Sequence, residues 1–173
     1  AFNGQFVFLD PEPDAKKSYE ERKRLFAGGV NWNEYNLQLI SRGGGVFDRS
    51  SRRIELSESV RKAFDIKEKQ LSGEELIRSM LRAPVDLIWN GGIGTYIKAA
   101  RETHIAVGDS ANDRVRVDAK DIRARVIAEG GNLGLTQPAR IEAFEAGVKL
   151  NTDAVDNSAG VDMSDHEVNL KIL

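Results

Sequence analysis

The sequence predicts an α/β protein built on a mostly parallel sheet flanked by helices. Four short runs, FVFL at 6–9, VDLIW at 85–89, ARVIAE at 124–129 and VKLN at 148–151, are apolar and β-branched enough for buried strands. Each is bounded by Gly, Pro, Asn or Asp. Helical patterns lie between and after them, and strands alternating with helices favour parallel pairing with both sheet faces covered. Each run is followed at once by a polar cluster: LDPEPD, WNGGIGT, AEGGNLGLTQ and NTDAVDNSAG. Ligands of parallel α/β sheets bind outside the carboxyl ends of the strands, so these clusters are expected on one ligand-facing edge.

The helices carry their own punctuation. Ser18 with Glu21 has capping-box spacing ahead of RKRLF, and Ser72 with Glu75 has it ahead of LIRSML. TQPARIEAFEAG closes on Gly147 as a C-terminal stop, and GVDMSDHEVNLKIL carries Val161, Val168, Leu170, Ile172 and Leu173 into a final helix. Residues 28–72, where GGVNW, GGG and RSSRR interrupt short helical pieces, read as a loop-rich insertion over the sheet rather than a separate domain. No internal repeat or low-complexity tract stands out.

The chain has 173 residues, 40% of them hydrophobic, enough for one ordinary domain or a large piece of a bigger one. The 25 basic and 27 acidic residues leave a formal charge of -2. Charge runs alternate in sign, as in KKSYEERKR, which argues against nucleic acid as a partner and for a solvated helix face. Cysteine is absent, which excludes disulfides, thiolate zinc sites and a cysteine nucleophile. The apolar runs are too short to span a bilayer and no leader pattern opens the chain, so a soluble, cytoplasmic protein without membrane partners is expected. A strand starting almost at Ala1, with nothing to shield its edge, suggests a piece of a longer chain.

Asp10 ends the first run and is held extended by Pro11. A carboxylate there suits two bonds to the ribose hydroxyls of NAD, and equally a strand-end turn. WNGGIGTYI follows a strand, but after Gly92 and Gly94 the third position is Ile97, so the G-x-G-x-x-G dinucleotide fingerprint is not satisfied, here or elsewhere. GDSAND at 108–113, taken with FLDPEPD, is similar to the acidic motifs of magnesium-dependent haloacid dehalogenase-like phosphatases. The match is imperfect, since Glu12 and Pro13 follow where that family wants a second aspartate and a short flexible residue. An Asx-rich turn opening the next helix is the simpler use of GDSAND. His104 and His166 have no metal-ligand spacing around them.

At AEGGNLGLTQPARIEAFEAGVKLNTDAVDNSAGVDMSDHE the sequence resembles the amino-acid dehydrogenases, specifically the very long bacterial NAD-specific glutamate dehydrogenases. Glu129, Gly130, Gly131 and Asn132 match an E-G-[AG]-N segment. Asn157 to Glu167 match N-x-[AG]-G-V-x-x-S-x-x-E at the kept spacing. FLDPEPD, GGGVF, LRAPVDLIWNGGIGTYIKA and GDSANDRVRV extend the resemblance over essentially the whole chain.

The resemblance implies that 1–173 is part of a Rossmann-like dinucleotide-binding domain lacking its first strand and glycine-rich loop. The enzyme it implies oxidises L-glutamate to 2-oxoglutarate and ammonia with NAD, as a homo-oligomer. Residue by residue, it assigns Asp10 to the ribose, and Asn90 and Gly91 to a cofactor-lining loop. Asn132 and Asn157 go to the cofactor site, Asn157 near the nicotinamide amide, and Ser164, at the first turn of the final helix, to the substrate side-chain carboxylate. Ala159 stands where the family commonly has glycine, so backbone approach there is expected to be less close. The catalytic lysine and aspartate are expected outside this stretch. The phosphatase and a non-catalytic module of the same fold remain the alternatives.

Overall fold

The computed structural model describes residues 1–92 and 94–173, and of Val161 the backbone alone. It divides into two compact units, residues 1–80 and 81–173.

In the first unit β1 (Phe6–Leu9) forms as expected, with Val7, Phe8 and Leu9 buried. Its partner differs from expectation. It pairs antiparallel with β2 (Gly45–Asp48), Phe6 opposite Asp48 and Leu9 opposite Gly45, in a sheet of these two strands. An apolar β-branched run encodes a buried strand but not the direction of its neighbour. Residues 28–72 are thus tied to β1 through β2, and they also supply β3 (Ile54–Glu55), α2 (Glu58–Phe64) and β4 (Gln70–Leu71), with β3 and β4 antiparallel.

Between β1 and β2 runs α1 (Ala15–Gly28), which starts earlier than the Ser18 box predicts: Asp14 caps it, its carboxylate accepting from the Lys17 N–H at 3.0 Å. Ser18 and Glu21 are buried inside the helix instead. Glu21 pairs with Arg24 at 2.6 Å and accepts the Asn36 N–H at 2.7 Å, and these two bonds hold its carboxyl down at about 2. The residues it secures carry Tyr35, which with Trp32 packs on Phe8 at ring-centroid distances of 4.7 and 4.8 Å. The unit ends in α3 (Gly73–Leu81), whose Ser72 box forms as predicted: Glu75 accepts the Ser72 N–H at 2.9 Å and donates its own N–H to Ser72 Oγ at 3.3 Å. Leu76 and Ile77 on this helix are fully buried.

The second unit holds the parallel sheet, in the order β5 (Leu87–Asn90), β8 (Val126–Glu129), β9 (Lys149–Leu150). Between β5 and β8 come β6 (Ile97–Lys98), α4 (His104–Val107) and β7 (Val117–Asp118), with β6 and β7 a second parallel pair. The stretch β8, α5 (Gln137–Glu145), β9 is a βαβ unit. Thr136 caps α5 through a 3.1 Å bond from Ala139 N, and Gly147 takes φ +91° just beyond its end. Ile127, Leu135, Ala139, Ala143 and Val148 line the core. β5 departs from the buried strand expected: Leu87 and Trp89 are 51% and 62% exposed, because it is an edge strand whose pleat turns both toward one open face. Two helices follow, α6 (Asp153–Asp156) and α7 (Ser158–Ile172), the final helix expected, along which Met163, Val168, Leu170 and Ile172 are exposed.

Because the Ser72 hydroxyl and the Glu75 carboxylate each satisfy a backbone N–H at the start of α3, Ser72→Ala is expected to lower stability by about 1 kcal/mol with an unchanged urea m-value. Equilibrium urea unfolding checks this, and an unchanged midpoint would show that α3 forms without its box.

Candidate functional site

The carboxyl ends of β5 and β8 lie side by side, with Asn90 opposite Glu129 in the register and Gly130 N–H bonded to Asn90 O at 2.8 Å. Two loops leave this edge, one from Gly91 and one from Gly130. They approach so closely that side chains are excluded: a Cβ on Gly131 would lie 2.4 Å from Gly92 O, and one on Gly134 would lie 1.8 Å from Asn90 Nδ2. The Trp89 indole covers the first glycine of each loop, 2.8 Å from a Cβ position at Gly91 and 2.5 Å at Gly130. Asn90 is half-buried, and its Nδ2 has no hydrogen-bond partner among the described residues.

Asn132, in the second loop, is joined to Asn157 at the start of α7: Asn157 Nδ2 donates to Asn132 Oδ1 at 2.8 Å. Asn157 therefore does not cap its own helix. Its amide folds over Gly160, where a Cβ would lie 2.4 Å from Asn157 Oδ1. In the N-S-A-G stretch it is Gly160 that the packing requires, and Ala159 is exposed.

Beneath these loops sits a charged cluster that sequence reasoning missed. Glu129 is 1% and Arg140 7% exposed, and their charges meet at 2.6 Å between Glu129 Oε1 and Arg140 Nη1. The contact is close but not aligned as a hydrogen bond, since Glu129 Oε1 has no such partner among the described residues. Glu129 Oε2 takes the Gly134 N–H at 3.0 Å, Arg140 Nη1 donates to Asn151 O at 2.9 Å, and Arg140 Nη2 lies 3.6 Å from Asp153 Oδ1. Burial pushes the Asp153 carboxyl up. Hydrogen bonds from Leu133 N–H and Thr152 and the Arg140 charge outweigh it and hold the group below the usual carboxylate range. The signal in the sequence was Arg140 itself, four residues after the Thr136 cap on a helix face otherwise filled by Ala139 and Ala143.

The structure brings Asn90, Gly91, Asn132 and Asn157 onto loops and termini of the second unit. Ser164 is not at the first turn of the final helix: α7 begins at Ser158, so Ser164 is exposed nearly two turns in, beyond the free N–H groups of the helix start. Asp10 belongs to the first unit, where its Oδ1 accepts from Ser41 N at 3.2 Å and from the Ser41 hydroxyl. Its Oδ2 is buried with no partner among the described residues. GDSAND forms a short 3-10 turn, Ser110–Asn112, after Asp109. Asp109 accepts Thr95 N–H and Asn112 Nδ2, both at 2.8 Å, and Arg116, wholly buried, donates to Thr95 O at 2.7 Å. That is a structural employment of the motif.

The fold and this edge define a mixed α/β protein whose glycine- and asparagine-rich face lies where parallel sheets take ligands. The chain belongs to the family described as bacterial NAD-glutamate dehydrogenase, catalytic domain, which matches residues 1–173. It is 54% identical to the NAD-specific glutamate dehydrogenase of Halomonas elongata over 174 aligned residues. It is 53% identical to that of Pseudomonas aeruginosa and 53% identical to that of Mycobacterium tuberculosis. Each alignment covers the whole chain but only 11% of the relative.

Glu129 and Arg140 neutralise each other out of water, so removing one strands the other. Arg140→Met is expected to cost about 3–5 kcal/mol, and Arg140→Met with Glu129→Leu distinctly less. Thermal or urea denaturation of the two variants checks this, and a double variant no more stable than the single one would mean the pair is not coupled.

Proposed function

We propose that this chain supplies the NAD-facing part of a glutamate dehydrogenase that converts L-glutamate to 2-oxoglutarate and ammonia. The observation that carries the reading is the joined amides of Asn132 and Asn157 at the carboxyl edge of the sheet, beside two loops whose glycines let them pack closely against each other. The family match and the names of the relatives support the same cofactor and substrate.

When bound, NAD supplies the hydride acceptor. Asn157 and Asn132 then present amide groups to the carboxamide, Asn90 offers its unpartnered Nδ2, and Gly91 lines the cofactor beside it. Asp10 bonds the ribose hydroxyls once Ser41 shares or yields its carboxylate. Ser164 receives the substrate side-chain carboxylate. The domain is of Rossmann type in this reading, and its pyrophosphate loop, catalytic lysine and proton-transferring aspartate come from the rest of the longer protein. Assembly as a homo-oligomer in the cytoplasm belongs to the same proposal. No helix among the described residues is long and apolar enough to cross a membrane.

Two measurements on the full-length protein test these assignments. Asp10→Ser should weaken NAD binding by roughly one to two decades and narrow the preference over NADP, since both a charge-assisted bond and the repulsion of a 2'-phosphate are lost. NAD affinity within about twofold of wild type would leave Asp10 serving Ser41 alone.

Ser164→Ala should raise the glutamate KM and lower kcat/KM about ten- to a hundredfold while sparing the KM for NAD. Because Ser164 is exposed in mid-helix, the melting temperature should stay put, which separates lost binding from lost folding. An unchanged glutamate KM would remove Ser164 from the site.

A further inference from the structure

Leu133, next to Asn132, has φ +56°, in the left-handed region that a branched L-residue rarely enters. Such a conformation costs on the order of tenfold in population for a residue with a Cβ, and persists only where its surroundings enforce it. Both backbone polar groups of Leu133 are in fact held by side chains. Its N–H donates to Asp153 Oδ2 at 3.0 Å, and its carbonyl accepts from Thr95 Oγ1 at 2.7 Å. The side chain is 54% exposed, so packing does not explain the conformation.

Asp153 holds more than this one amide. Its own carbonyl accepts the Asn157 N–H at 2.7 Å. One residue therefore grips the backbone beside both asparagines whose amides meet at 2.8 Å. Thr95 is fixed in turn, its N–H by Asp109 and its carbonyl by Arg116. The GDSAND turn and Arg116 thereby back the second grip on Leu133.

We infer that Asp153 is a positioning residue: its carboxylate holds Leu133 in the left-handed conformation and so keeps Asn132 aimed at Asn157, with the Thr95 hydroxyl as the second hold. The cofactor meaning of that geometry rests on the function proposed above, but the hold on Leu133 does not. Asp153 also faces Arg140 at 3.6 Å, and a role exerted through Arg140 is the competing account.

Glycine distinguishes the two, because it takes positive φ without the penalty. In the full-length protein, Asp153→Ala should weaken NADH binding about tenfold in fluorescence titration and speed hydrogen exchange of the 130–136 segment. On a Leu133→Gly background the same change should cost less than about threefold, a non-additive cycle. If the effects of the two substitutions simply multiply, Asp153 acts through Arg140 and the inference fails. It fails equally if Asp153→Ala leaves both readouts at wild-type values.

Should Asp153→Ala not fold, Thr95→Val removes the other hold and leaves the Arg140 contacts intact. The inference then requires weakened NADH binding and faster exchange that Leu133→Gly suppresses, and is overturned without them. Hydrogen exchange needs no ligand, so a wild-type protein that binds no NADH would sink the cofactor reading while the exchange cycle still decides the role of Asp153.

Discussion

The organisation of the second unit depends on one buried charge contact, Glu129 with Arg140. Two charges taken out of water are tolerated only if each finds the other and their remaining polar atoms find partners. The pair meets that requirement in part, since Arg140 Nε and Nη2 keep no hydrogen-bond partner among the described residues, and the partners it does find draw in the surrounding chain. Glu129 ends β8 and takes the Gly134 amide, which closes the second loop back on its own strand, while Arg140 reaches from α5 to the Asn151 carbonyl after β9 and to Asp153 on α6. One ion pair therefore sets the path of the chain on both sides of the asparagine pair. The loops lie at the sheet edge because the sheet ends there, but their shape follows from the demand for partners beneath them.

The first unit applies the same device at smaller scale. Glu21 points inward from the middle of α1, is matched by Arg24, and spends an oxygen on the Asn36 amide fifteen positions on. The bond secures an irregular segment whose Trp32 and Tyr35 pack on Phe8, and Arg22 closes over the Phe8 and Trp32 rings at 5.7 and 5.6 Å. Segments without long strands or helices hold few backbone bonds of their own. In both units a buried carboxylate that accepts a distant N–H supplies the order that secondary structure does not.

These dependencies decide what was legible in the sequence. The βαβ stretch from Val126 to Leu150, the cap at Ser72 and the stop at Gly147 were readable because period, cap and glycine are local signals. The segments bearing Asn132 and Asn157 were readable through their resemblance to a family. The antiparallel partner of β1 was not, since Gly45–Asp48 sits in a glycine-rich stretch and pairing direction is set by what lies across the strand. The start of α1 was misread because Ser18 and Glu21 have the spacing of a box, while Asp14 is better placed to serve the first free N–H groups. The pairing of Glu129 with Arg140 gave no local signal, because the partnership spans a turn, a cap and the first turn of a helix. Leu133 gave no sign at all, since leucine is among the last residues expected at positive φ.

That last case shows how polar fixing and backbone strain work together. A glycine at 133 would make the turn without help, but it would also allow the chain to leave it. Leucine resists the turn, so the conformation stands only while Asp153 and Thr95 are in place, and each of these is itself fixed by groups from another part of the unit. The direction of Asn132 thereby comes to depend on α6, the loop after β5 and the GDSAND turn together. An asparagine whose amide must face a second asparagine at 2.8 Å is better served by such dependence than by a turn that is merely permitted, because a displacement of any one support is opposed by the others.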